Sequence, residues 1–241
     1  MPAPSHVQDN WAEGTNVSSL AVTLSSVASG ADVTAGNTLL CTAAYIGSGN
    51  RTIGTFSDDN SNTWNKDEDL GNTTYTRAIG SADNVNSGAT VITVAFSSFT
   101  GNLAIAAVEI SGADSTDAYD TSDSFHDTDT SDANHYCATS PGIGTAANVF
   151  LVAVDGVAVG AVSSYAAPSG WTMIRSSTSF GTRGYAHAYI SSASALSNER
   201  AVFTQTGTNR ASKGAVASYD DGGGGGATTS VIPLLVQMGA Y

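Results

Sequence analysis

The chain has few residue groupings with the types and spacing that chemistry requires. The first is Asp58-Asp59-Asn60-Ser61-Asn62, where Asp58, Asn60 and Asn62 put oxygen-bearing side chains at alternate positions. This is how a calcium loop begins, and these three residues are the candidate metal ligands. Thr63 stands where an EF-hand loop needs glycine. The competing reading is an Asx turn leading into Trp64. A second acidic stretch carries Asp114, Asp117, Asp120, Asp123, Asp127, Asp129 and Asp132, and it reads better as a solvated loop than as an ion site.

Nucleophilic chemistry has no support. No G-x-S-x-G occurs, and His6, His126, His135 and His187 fall in no catalytic motif. Glycoside hydrolysis needs two carboxylates across a sugar. Glu109 is an odd acid that interrupts the apolar run Leu103–Ile110, and its match in the second half of the chain is Ser218, so no partner is evident. The expectation is a protein without catalytic residues. Trp11, Trp64, Trp171 and several tyrosines suit sugar stacking. However, Trp64 and Trp171 occupy matching places in two halves of the sequence, which favours a shared packing role.

These residues must be held by strands. Charged residues are only 12% of 241, and the chain has four Glu and two Lys, too few to cover helical faces. Apolar-rich runs such as Ser19–Leu24, Thr38–Ile46, Ala89–Phe96 and Leu103–Ile110 are bounded by Gly, Asn, Asp and Ser. No run of eleven residues carries a helical apolar stripe. The expected fold is all-β, a jelly-roll-like double-sheet sandwich forming one body from two pseudo-repeated halves.

The repeat is read from ordered matches. Gly36–Ala44 matches Ala147–Val154, the turn before Trp64 matches the turn before Trp171, and Thr74–Ala78 matches Gly184–Ala188. Ala89–Phe96 then matches Asn198–Gln205, and Leu103–Ile110 matches Ser212–Tyr219. The expected divisions are an N-terminal arm at 1–16, a first half at 17–112 and an acidic exposed connection at 113–134. A second half follows at 135–221, then a glycine hinge with the C-terminal segment at 222–241. In that last segment Val231, Ile232, Leu234, Leu235, Val236 and Met238 are the expected interaction residues, tethered by Gly222–Gly226.

The net charge of −13 would repel nucleic acid and anionic membrane surfaces. Cys41 and Cys137 both fall in strand-like runs and are expected as buried free thiols. No secretory leader is evident at Met1–His6, which favours a particle component over an exported enzyme or lectin.

The Gly-Asn-Thr-Leu-Leu strand (36–40), Asp-Asp-Asn-Ser-Asn-Thr-Trp (58–64), Ala-Pro-Ser-Gly-Trp-Thr-Met (167–173) and Ala-His-Ala-Tyr (186–189) resemble β-sandwich modules of tailed-bacteriophage virion proteins. The resemblance covers roughly residues 17 to 220. It implies a head decoration, tail or fibre component in the virion, whose partners are other virion proteins or further copies of itself. It brings no catalytic residues and no cofactor. The alternative reading is a secreted carbohydrate-binding module or adhesin, with host glycans as ligands and calcium as an optional cofactor.

Overall fold

The computed structural model describes residues 2–24, 32–46, 51–71, 76–88, 90–96, 100–127, 133–157, 162–180, 183–207 and 211–223. The first half contains β1 (Ser5–Val17), β2 (Ser19–Thr23), β3 (Thr38–Ile46), β4 (Ile53–Asp58), β5 (Asn65–Asp69), β6 (Arg77–Ala82), β7 (Val91–Phe96) and β8 (Gly101–Ser111). The second contains β9 (Tyr119–Asp127), β10 (Asn134–His135), β11 (Val149–Val157), β12 (Val162–Ala166), β13 (Thr172–Phe180), β14 (Arg183–Ser192), β15 (Phe203–Gly207) and β16 (Ser212–Asp220).

The two halves have the same topology. The first forms a five-stranded sheet β1-β8-β3-β6-β5 and a three-stranded sheet β2-β7-β4. The second forms β9-β16-β11-β14-β13 and β10-β15-β12, so each strand of one half has a counterpart eight places on. All the pairings between named strands are antiparallel. This is jelly-roll order, with the fifth strand hairpinned onto the sixth.

Three hydrophobic cores stack between the sheets. One joins the first half's sheets through Leu39, Cys41, Tyr45, Ile92, Val94 and Ile105. Another joins the second half's sheets through Val149, Leu151, Ala153, Trp171, Phe203 and Val216. Between them, the two five-stranded sheets meet over Leu40, Ile79, Val108, Phe150, Val152 and Tyr219. The expected all-β sandwich is therefore present in a thicker form. Each half closes its own double sheet, and the five-stranded sheets pack face to face to give four layers. Strands β3 and β11, central in their sheets, are buried along their whole lengths, as expected of strands covered on both faces.

Three expectations are corrected. Residues 5–16 are no free arm: they belong to β1, paired with β8 from Ser5↔Ser111 to Val17↔Gly101. Residues 119–127, expected within the exposed connection, form β9 on the edge of the second sheet, paired with β16, and the link between the halves is only the stretch 112–118. Both strands are polar because an edge strand has one half-solvated flank, where Ser, Thr and Asp discourage further pairing. The third correction concerns register. Sequence matching set Leu39 against Phe150, yet Leu39 faces its own three-stranded sheet while Phe150 faces the other half. An offset of one residue exchanges the two faces of a strand.

Candidate functional site

The face shared by the two five-stranded sheets holds buried polar groups from both halves, among them Thr42, Arg77, His187 and Lys213. Arg77 begins β6 and is fully buried. Its Nη1 donates to the carbonyls of Tyr45 (2.8 Å) and Thr76 (2.9 Å), and its Nε donates across the seam to the Lys213 carbonyl (3.2 Å). The guanidinium lies against Gly156 of β11, where an added Cβ would overlap Nη2. Burial lowers its pKa to about 10, with the Asp155 carboxylate acting in the opposite direction. Its Nη2 has no hydrogen-bond partner among the described residues.

His187 stands on β14, the counterpart of β6, and is also fully buried. Its Nδ1 lies 2.7 Å from Thr42 Oγ1 on β3. Burial, reinforced by the nearby Arg77 charge, lowers its pKa to about 3, so it is neutral at neutral pH. Lys213, nearly buried on β16, is shifted down by desolvation first and then by Arg77. Buried cations are costly unless their protons are engaged, and here backbone carbonyls take those of the guanidinium's Nη1 and Nε.

Two rims seal this face. On one side β1 lies along β13. Arg175 stacks on the Trp11 ring at 3.7 Å and meets Glu13 Oε1 at 3.1 Å, which also accepts from the Tyr185 hydroxyl. Beside them His6 stacks on Tyr189 with centroids 4.7 Å apart. On the other side β5 lies along β9. The Ser122 hydroxyl bonds to Glu68 Oε2 at 2.7 Å, and the Tyr219 hydroxyl donates to Asp67 Oδ2 at 2.8 Å. Desolvation raises the Asp67 pKa, although the Tyr219 bond works against this.

Glu109 is an architectural carboxylate. It is buried on the inner face of the first jelly roll. Its Oε1 accepts from the Thr34 amide (2.9 Å) and Asn37 Nδ2 (2.6 Å), and its Oε2 accepts from Gln8 Nε2 (2.5 Å). Thr34 and Asn37 lie in the loop entering β3. In the second half the corresponding carboxylate is on the neighbouring strand. Asp120 of β9 accepts from Ser218 Oγ at 2.7 Å and from the Ala146 amide, just before β11, at 3.2 Å. Each jelly roll thus ties the entry to its third strand to a carboxylate. Matching Glu109 with Ser218 finds the right face but misses that the acid has crossed to the adjacent strand.

The structure brings Asp58, Asn60 and Asn62 together as a closed turn. Asp58 Oδ1 accepts from the amides of Asn60 (2.9 Å) and Asn62 (3.1 Å). Its Oδ2 accepts from Asn62 Nδ2 (2.9 Å) and Trp64 Nε1 (2.7 Å). Asn60 Nδ2 bonds to Thr90, while Asn62 Oδ1 accepts the Asn86 amide. These oxygens hold the loop and its tryptophan. Among the described residues, no group of three or more His, Cys, Asp or Glu is placed to hold a metal ion. Trp64 and Trp171 directly precede the counterpart strands β5 and β13, and each packs into the core of its own jelly roll. Trp11 is the exposed tryptophan among the described residues. Cys41 and Cys137 are buried free thiols, and burial holds both well above the usual thiol range. Val231, Ile232, Leu234, Leu235, Val236 and Met238 lie outside the described residues.

One pair was not legible in the sequence. His135 Nδ1 lies 2.8 Å from Asp155 Oδ2, with both side chains essentially inaccessible. The pair resembles half of a catalytic relay, but the described residues bury both side chains. Its only signal in sequence is an aspartate inside an otherwise apolar strand, at Val149–Val157. Comparison with protein-family models, with curated proteins and with solved structures returns no match in any of the three.

Proposed function

We propose that this chain is a non-enzymatic structural protein of a bacteriophage particle, a head decoration or a tail or fibre component that binds other virion proteins or its own copies. The observation that carries this reading is the use made of its chemistry-bearing residues. Glu109, Arg77, His187 and the His135–Asp155 pair are buried, and they and the half-buried Asp120 are engaged in holding strands, loops or sheets together. A duplicated jelly roll with four layers gives a stiff body suited to display or cementing. The C-terminal apolar segment, Val231 to Met238 beyond the glycine run, is assigned the contact with neighbouring subunits. Deleting residues 227–241 is expected to abolish multimerisation in sedimentation and incorporation into particles. Unchanged sedimentation and incorporation would overturn this assignment.

A carbohydrate-binding module is the second reading, and one observation favours it. Trp11 is exposed on β1 beside Glu13 and Arg175, a set able to combine ring stacking with polar contacts. A glycan array with wild-type and Trp11→Ala protein tests it. Binding lost in the variant supports a lectin role, and no binding by the wild type removes it.

A further inference from the structure

We infer that the five-stranded face of each jelly roll is a self-complementary interaction surface, and that the partner it fits is a second jelly roll of the same kind. The chain is then a tethered pseudo-two-fold pair whose connection at 112–118 adds proximity but not shape. This rests on the packing geometry and not on the virion reading.

Most contacts across the seam are reciprocal, although β16 also packs on β6 and β5 without an equal contact of its counterpart β8 on β14 or β13. β3 lies on its own counterpart β11 at the centre. β1 lies on β13, the counterpart of β5, and β5 lies on β9, the counterpart of β1. β6 touches β11, and β14 touches β3. When element i meets j′ and j meets i′, the two bodies are related by a two-fold axis and share an isologous interface.

Side chains obey the same relation. Arg77 of β6 reaches over to Gly156 of β11, and His187 of β14 reaches over to Thr42 of β3. The rim acids depart from it: Glu13 lies on β1, while Glu68 and Asp67 lie on β5 rather than on β9, the counterpart of β1. The core between the sheets draws on both halves alike, with Leu40, Ile79 and Val108 meeting Phe150, Val152 and Tyr219. A head-to-tail packing of two domains would show none of this reciprocity. The surface is largely apolar at its centre, with Arg77 and His187 buried within it, and polar at its rim.

The test uses the full chain with a protease recognition sequence inserted after Ser115, which is exposed in the connection. The protein is purified intact, cut, and examined by native mass spectrometry and size exclusion at micromolar concentration. The expected result is one particle holding both fragments, with the circular dichroism of the uncut protein. Exchange against isotopically labelled cut protein then reports how tightly the fragments hold each other. Arg175→Gln, which removes a partly exposed rim contact, is expected to speed exchange up to roughly fivefold while the uncut variant keeps its spectrum. Fragments that separate on cutting, or a cut protein that unfolds, would show the tether to be structural and overturn the inference. Exchange unaltered by Arg175→Gln would overturn the placement of the rim.

Discussion

The Arg77 guanidinium rests directly on the α-carbon of Gly156, so a side chain of one jelly roll occupies the space a Cβ would need in the other. Three backbone carbonyls hold the guanidinium in place, and it cannot swing aside without giving up those bonds. Gly156→Ala is therefore expected to lower unfolding stability by about 3 kcal/mol, the upper part of the usual overpacking range. Arg77→Met removes the colliding nitrogens and keeps an apolar stem. In urea titrations the double variant should be more stable than the sum of the two single losses predicts, by at least about 1 kcal/mol. Simple additivity would mean that the two residues do not constrain each other.

His187 makes a prediction about pH. An unfolded histidine titrates near the reference value of 6.5, while the folded one is held at about 3. The unfolded state therefore takes up the proton first. The contribution of neutral His187 to stability is fully present above pH 6.5 and is lost as pH falls toward 3, at a limiting slope of about 1.4 kcal/mol per unit. Asp67 and Asp83, both raised by desolvation, act in the opposite sense, because their folded forms hold protons more tightly than the unfolded chain. The readout is thus the difference between wild type and His187→Gln across pH 7 to 4. Wild-type stability should fall more steeply than that of the variant, and parallel curves would exclude a buried neutral imidazole.

The sequence made the all-β class and the duplication legible because turn residues punctuate apolar runs in the same order twice. It hid the face of each central strand. Leu39, Leu40 and Cys41 are all buried, so the run carries no period-two contrast and matching it to Val149–Leu151 leaves the phase open. The sequence also hid the edge strands. Ser5–Val17 and Tyr119–Asp127 look like polar linkers because their partners, β8 and β16, supply the apolar surface. Arg77 and His187 were matched to each other by the repeat, but nothing in sequence separates a solvated arginine from one buried against a glycine some eighty residues away.

The carboxylates that tie down the third strands predict a loss of stability and no chemical phenotype. Glu109→Gln replaces an acceptor of three hydrogen bonds with an amide, one half of which donates. Buried donors among the Thr34 amide, Asn37 and Gln8 then lose their acceptor, at a cost of about 2 kcal/mol. Asp120→Asn is expected to cost a similar amount, about 1–2 kcal/mol, through Ser218 and the Ala146 amide. The two sites share no partner and belong to different jelly rolls, so their losses should add to within about 0.5 kcal/mol in denaturant titrations. A Glu109→Gln protein as stable as wild type would free Glu109 from this structural role.

The Asp58 turn decides whether calcium matters to the fold. A cation would have to draw on the oxygens of Asp58, Asn60 and Asn62, but both Asp58 oxygens already accept two donors each. Binding would cost those bonds, including the one that anchors Trp64 over Phe56, with ring centroids 6.0 Å apart. A ligand present at a hundred times its Kd stabilises the folded state by about 2.7 kcal/mol, which a thermal melt detects easily. The melting temperature is therefore expected to be the same in millimolar calcium and in chelator. Asp58→Ala, by contrast, should lower it and shift Trp64 emission to the red as the indole loses its acceptor and swings toward solvent. A melt raised by calcium and unaffected by Asp58→Ala would place an ion elsewhere on the protein. One raised by calcium only while Asp58 is intact would show that the turn opens to take the ion.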